Sequence, residues 1–464
     1  HDVSFAMRAP GGDAMIAFAI AGCLLAAGLR NIIPPAPSTT VGIDLGTTFS
    51  CVAIFDHGRV HVIDVEPNST ILPSAVALRP GAPPVVGRAA LVSAGPGVVY
   101  DAKRFIGRAY EPGSEAELER EVAELPFRVV RGWSKERARL ETHILPSGFE
   151  TALAAEEVSA MILRRLRDAA EAHIGRKVRA AVLAVPVDFT EMQRNATREA
   201  ARLAGIEVLR LLHEPTAAAI AYGLHQRPTV RSVMVYDLGG GTLDVSVLDL
   251  DDGIFSVVSA AGNNFLGGQD VNRLLLPRAK RSAQPALADG ALGEAAHAAL
   301  FAAVEELKVS LSGECDCVGQ CESADDAPVR VALRIPGEAA RTIGMSRTEL
   351  EAAIAPFVER ALLPVREVLA ELNMTIQQID ELVLVGGSTR IPAIRRRLTA
   401  LLGGREPNCA LPPEEAVARG TAIQAGALVD AKKVPVGATE AVFTRRRANA
   451  RLEAEAEERG RSLG

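Results

Sequence analysis

The chain has 464 residues, 48% of them hydrophobic and 23% charged, with mean hydropathy +0.15, which is enough apolar material for a packed core and excludes a mostly disordered chain. Six cysteines are too few for a disulfide scaffold, and a net charge of −6 supplies no basic field to gather nucleic acid. With aromatic residues at 4% and a single Trp, stacking platforms for bases or sugars are disfavoured as well. The expected class is an Ala-rich α/β globule.

The first element is Met15–Leu29, an uncharged stretch with Arg8 before it and Arg30 after it. It is short for a spanning helix, which needs about 20 apolar residues, and suits a signal-peptide core. Ala26 and Gly28 are small residues spaced for cleavage, so residues 1–40 are expected to be a signal peptide, or an uncleaved anchor, with its linker.

Two similar segments follow. Val41 opens VGIDLGTTFSCVAIF and Met234 opens MVYDLGGGTLDVSVL. Each is an apolar strand ending in Asp-Leu-Gly, a small-residue turn and a second apolar run. The spacing is too long for a solenoid and implies two related α/β halves, each beginning with a glycine-turn hairpin.

Between the hairpins the periodicity predicts a helix over Ala155–His173 ended by Gly175, and a strand at Ala180–Val185. Thr190 and Gln193 form a capping-box start for a helix that stops at Gly205. Another strand, Ile206–Leu212, leads into a helix over PTAAAIAYGL. In the second half, Leu382–Leu398 reads as a short strand, a Gly-Gly turn and a helix, and helical patterning continues through EEAVARGTAIQAGALV. The segment after Asp430 is nearly all charged or small and is expected to be a solvated tail, 431–464.

The cysteines divide into Cys23 in the signal core, Cys51 and Cys409 standing alone, and a cluster of Cys315, Cys317 and Cys321. The cluster lacks a nearby fourth zinc ligand, so an incidental or disulfide-bonded surface loop is the expectation.

Chemistry is carried by three glycine turns: Gly46-Thr47-Thr48, Gly239-Gly240-Gly241-Thr242 and Gly386-Gly387-Ser388. Backbone amides freed of side chains can approach phosphate oxygens closely. Asp44 and Asp237 stand at the ends of the strands before two of these turns. A carboxylate beside phosphate is repulsive unless a divalent cation lies between, so the pair implies Mg²⁺ held largely through water.

These segments, with YDAKRFIGR, VPVDF, HEPTAAAIAYGL and LVGGSTRIPAIRRRL, resemble the successive signatures of the heat-shock protein 70 ATPase domain, collinear from Val41 to about Leu428. The resemblance implies a two-lobed, duplicated actin-like ATPase fold with ribonuclease H-like halves, lobe I at 41–230 and lobe II at 231–430, and ATP or ADP in the cleft. By position, Gly46, Thr47, Thr48 and Phe49 form the first phosphate loop. Gly239, Gly240, Gly241 and Thr242 form the second. Lys103 is the catalytic lysine, with Glu214, Asp44 and Asp237 organising the Mg²⁺ shell and the attacking water. Glu305, Lys308 and Ser312 match the adenosine-contacting helix, Gly387, Ser388 and Arg390 complete the nucleoside pocket, and Pro186 matches a hinge proline.

Several positions depart from the family pattern: Val309 for an adenine-stacking Arg, His213 for Asn, Gln269 for Glu, and Glu414 for Asp. The stretch LLLPRAKRSAQPALADGALG is unusually rich in Pro and Gly for a lobe that is helical there in the family. The family's leucine-rich linker and its peptide-binding β-sandwich of roughly 100 residues are not expected in the stretch after Asp430, which lacks the leucine run. The resemblance is therefore to the microsome-associated ATPase-core member, in the endoplasmic reticulum lumen or microsomes. Its expected activity is ATP hydrolysis that peptide does not stimulate. Expected partners are a J-domain co-chaperone or an exchange factor, with no nucleic acid and a membrane contact only through an uncleaved anchor. A nucleotide-gated adaptor, a truncated paralogue and a metabolite kinase are the alternatives; the family-specific strings disfavour the kinase.

Overall fold

The computed structural model describes residues 39–92, 97–109, 125, 127–134, 139–283, 294–313, 317, 319–320, 326–335 and 340–429. The signal-like segment, Cys315, Cys321 and the tail 431–464 lie outside them.

The repeat seen in the sequence is a repeat of sheets. In the first, β1 (Thr40–Asp44) pairs antiparallel with β2 (Phe49–Asp56), which pairs with β3 (Arg59–Val62). On its other side β1 runs parallel to β4 (Ala180–Val185), which is parallel to β5 (Glu207–His213). The strand order is β5-β4-β1-β2-β3, with the short strand Ile71–Pro73 added beside β2. In the second sheet, β6 (Ser232–Leu238) pairs antiparallel with β7 (Leu243–Asp251), which pairs with β8 (Ile254–Asn263), and β6 runs parallel to β9 (Glu381–Val385). Its order, β8-β7-β6-β9, is the first sheet's β3-β2-β1-β4 over again. In the first sheet β4 lies between two parallel neighbours, β1 and β5, and is covered on both faces, which is why it reads AAVLAV with every residue buried.

The helices start and stop where local chemistry dictates. Helix α1 (Ala155–Ile174) ends at Gly175, whose φ of 66° is the left-handed cap that glycine adopts most cheaply. In α2 (Glu191–Leu203) the Thr190 and Gln193 side chains cap each other's backbone as expected. The β5 strand runs straight into α3 (Glu214–Ala221), where Pro215 sits in the first turn and costs no helical hydrogen bond. The Pro-rich stretch begins as part of α4 (Gly268–Ser282), which tolerates Pro277, and continues beyond the described residues. Next come α5 (Glu294–Ser312), α6 (Pro392–Leu401) and α7 (Ala416–Val429).

Among the described residues, three large hydrophobic clusters hold these layers, with two small ones beside them. One lies under the first sheet against α1 and α2, and a second under the second sheet against α4, α5 and their neighbours. The third joins the sheets: Val182 and Ala184 of β4, Ala217 of α3, Val235 of β6, Val383 of β9 and Ala425 of α7 belong to it. Here α7 returns to the first sheet, and the approach is close enough to require glycine. A Cβ on Gly42 in β1 would fall 2.0 Å from the Ala422 nitrogen, and one on Gly420 would fall 1.7 Å from the Ala217 carbonyl oxygen.

The cysteines correct one expectation. Cys409 is not isolated: it forms a disulfide with Cys317, the described member of the cluster, closing a sequence separation of 92 residues with Cα atoms 5.8 Å apart. The pairing is non-local, which is why spacing alone could not show it. Cys51 is a free, buried thiol. Among the described residues no helix is long and apolar enough to cross a membrane.

Candidate functional site

Both hairpin turns point to one seam. In the first, a Cβ on Gly46 would meet the Phe49 carbonyl oxygen at 2.0 Å, so the turn closes only around glycine. In the second, the Gly239 N–H donates to the Thr242 carbonyl at 2.9 Å. The turns touch each other: a Cβ on Gly240 would lie 2.5 Å from the Thr48 hydroxyl oxygen. That hydroxyl is buried with no hydrogen-bond partner among the described residues, an arrangement that a ligand oxygen would complete.

The carbonyls of the second turn all face protein donors. The Gly239 oxygen accepts from the Gly268 N–H at 3.0 Å and the Ser388 hydroxyl at 2.8 Å. The Gly240 oxygen accepts from the Gln269 N–H at 2.7 Å, and the Gly241 oxygen from Arg104 Nη2 at 2.9 Å. With its negative ends turned into protein, the loop meets an anion with amides rather than carbonyls. Gly387 has open space beside it.

Carboxylates crowd the same seam. Lys103, on a single 3-10 turn (Ala102–Phe105), donates from Nζ to Glu214 Oε1 at 2.6 Å, and Glu214 is the first residue of α3. Burial, reinforced by Glu214, pushes the Asp44 carboxyl up to about 7, with Lys103 opposing. Burial and the facing carboxylates raise Asp237 well above its ordinary range. Burial alone would lower the Lys103 ammonium, but Glu214, with Asp44 and Asp237 behind it, outweighs that and holds it above its usual value.

The sequence reading missed Asp244. It lies directly opposite Asp237 in the β6–β7 register, and burial, with Glu214 and Asp188 adding to it, pushes its carboxyl up to about 7. The only signal was a carboxylate in the otherwise apolar run LDVSVL. A cavity of about 210 Å³ opens beside this group, lined by Pro186, Asp188, Glu214, Asp237 and Asp244 among others.

Four carboxylates facing one lysine leave uncompensated negative charge, which would cost folding energy if kept ionised at neutral pH. A divalent cation would offset it. The donors are hard oxygens, as Mg²⁺ requires, yet among the described residues no three acidic, His or Cys groups form a protein-only cage. Oxygen donors of this kind fit a small, hard divalent ion.

On the other side of the second turn, α5 and α4 meet. Lys308 Nζ donates to Glu305 Oε2 at 2.7 Å and to the Gly268 carbonyl at 3.1 Å, while Asn272, also unforeseen, donates to Glu305 Oε2 at 2.6 Å. A Cβ on Gly268 would fall 2.5 Å from Ser388 Oγ and 3.0 Å from Lys308 Nζ, so these groups converge on the loop. The Ser312 hydroxyl is instead taken up by the Lys308 carbonyl at 2.8 Å. Arg390 forms a two-pronged ion pair with Glu414, at 2.8 and 3.2 Å. His213 Nε2 lies 2.6 Å from Arg194 Nη2 on α2.

The comparisons agree with this geometry. A family model described as Hsp70 protein matches residues 40–436. Over 411 residues the chain is 40% identical to the heat shock 70 kDa protein BIP3 of rice (Oryza sativa subsp. japonica), an overlap of 86% of this chain and 58% of that protein. The chain thus spans a little over half the length of the curated relative it matches. With paired sheets of repeated order, two apposed glycine turns and a match over most of its length, the chain belongs to the heat-shock protein 70 family and has that family's duplicated actin-like ATPase fold.

Proposed function

We propose that the chain is a Mg²⁺-dependent ATPase core that hydrolyses ATP to ADP and phosphate, with residues 41–230 and 231–430 as its two lobes. One observation carries the reading: glycine turns from both halves abut beside the Lys103–Glu214 pair and three further, half-buried carboxylates. Phosphoryl transfer asks for positioning and charge neutralisation more than covalent chemistry, and these are the groups to supply both. The turn of Gly46–Phe49 and that of Gly239–Thr242 would cradle the phosphates by their amides. Lys103 would stand at the γ-phosphate and neutralise charge there. Asp44, Glu214, Asp237 and Asp244 would hold Mg²⁺ through water, and the bound ion would neutralise phosphate charge. Glu305, Lys308, Ser312, Gly387, Ser388 and Arg390 would line the nucleoside side.

Single-turnover hydrolysis of ATP by the purified chain tests this. Phosphate release that needs Mg²⁺ supports it; ATP bound but left intact favours the nucleotide-gated adaptor. Val309 is 56% exposed on α5, next to Lys308. If this face meets the base, Val309→Arg is expected to tighten ADP binding by roughly 0.5–2 kcal/mol through a cation over the ring, as titration calorimetry would read. An unchanged Kd would place the adenine elsewhere.

A secretory-pathway location, in the endoplasmic reticulum lumen, rests on the signal-like Met15–Leu29 segment and is supported by the Cys317–Cys409 disulfide, which suits an oxidising compartment. J-domain co-chaperones or exchange factors are the expected protein partners. Turnover by these 464 residues alone is expected not to rise with an added extended apolar peptide.

A further inference from the structure

Of the three carbonyls in the second glycine turn, two are held by amides of α4, from the same half of the molecule. The third, Gly241, is held from the other half, by Arg104. Arg104 follows Lys103 on the same 3-10 turn, so one short element sends Lys103 to Glu214 and Arg104 across the seam. Its guanidinium has four engagements. Nε pairs with the buried Asp101 at 3.1 Å, Nη2 donates to the Gly241 oxygen at 2.9 Å, Nη1 donates to the Asn264 oxygen, and the carbon centre lies 5.5 Å from the Phe265 ring centroid. Phe265 is 49% exposed and covers the guanidinium instead of packing into the core. Gln269 and Arg273 of α4 also face Asp101, so the contact is anchored on both sides.

A peptide unit is planar and trans, so its carbonyl and the next N–H point in opposite directions. Pinning the Gly241 oxygen therefore fixes the direction of the Thr242 N–H. It also sets the second turn in register with Lys103, because the pin and the lysine are neighbours in the chain. Only an arginine can do this, since its fork reaches two carbonyls and a carboxylate at once while its flat face accepts a ring.

We infer that Arg104, capped by Phe265, is a positioning residue that fixes the second phosphate turn against the Lys103 turn and thereby slows release of bound nucleotide. The inference rests on the nucleotide-binding reading above, and its consequence is kinetic. Opening the seam must break the Gly241 and Asn264 hydrogen bonds and uncover the Phe265 face.

The test is stopped-flow dissociation of fluorescently labelled ADP, chased with unlabelled ADP in Mg²⁺, from the full chain and its variants. Arg104→Ala is expected to speed dissociation roughly tenfold or more, as loss of two charge-assisted hydrogen bonds implies. Arg104→Lys keeps the charge for Asp101 but cannot fork, and should fall between parent and alanine; it also serves if the alanine variant does not fold. Phe265→Ala is expected to give a smaller increase, and to add nothing in the Arg104→Ala background. That non-additivity is the signature that a merely structural role would not produce. Dissociation equal to the parent's in both Arg104 variants overturns the inference while leaving the ATPase reading intact. Independent, additive effects of Arg104 and Phe265 overturn the cap. A parent chain that holds no labelled ADP overturns both readings together.

Discussion

Replacing Lys103 with alanine is expected to cut ATP turnover by about 100-fold or more, at about 1.4 kcal/mol per decade, while ATP affinity changes by no more than several-fold. The asymmetry follows from the site. The backbone turns and the α5 side would hold the nucleotide without the lysine, whereas the charge that develops in transfer would be met by its ammonium. Glu214 holds that ammonium at 2.6 Å, so it has a fixed direction before any ligand arrives. Single-turnover rates at saturating ATP make the comparison, and equal rates in variant and parent would remove Lys103 from the mechanism.

The second large effect concerns packing. Gly420→Ala is expected to destabilise the fold by roughly 3 kcal/mol, the upper range for forcing a methyl group into a packed interior, and Gly42→Ala by a similar amount. In both cases the obstructing atoms are backbone, the Ala217 carbonyl and the Ala422 nitrogen, which cannot rotate aside as a side chain does. Ala217 lies in the helix that begins with Glu214, so relief by moving that helix displaces Glu214 from Lys103. Gly420→Ala should therefore lower both the unfolding midpoint and nucleotide affinity. Thermal unfolding with and without MgADP reads both, and a midpoint within a degree of the parent's would show that the α3–α7 contact is looser than described.

Local signals were the ones legible in the sequence. The capping pair Thr190 and Gln193, the left-handed stop at Gly175 and the all-apolar strand Ala180–Val185 each act over a few residues, and each element formed as read. The duplication was legible too, because both hairpins repeat the same Asp-Leu-Gly turn. What escaped depends on residues far apart in the chain. Asp244 joins the candidate site because Glu214 and Asp188, from the first half of the chain, face it, and Asn272 because α4 lies on α5. Arg104 looks like an ordinary charged neighbour of Lys103 until the second half supplies the Gly241 carbonyl. The Cys317–Cys409 bond was hidden for the same reason, since nothing near Cys409 marks its partner.

The central claim is that the two halves build one nucleotide site between them. Calorimetric titration of the purified chain with ADP, in Mg²⁺ and again with the metal chelated, tests this most directly. The account predicts one nucleotide per chain and affinity that falls sharply on chelation, because the Asp44, Glu214, Asp237 and Asp244 carboxylates then face the phosphates without a cation between. Two independent sites per chain, no measurable binding, or binding indifferent to the metal would contradict it.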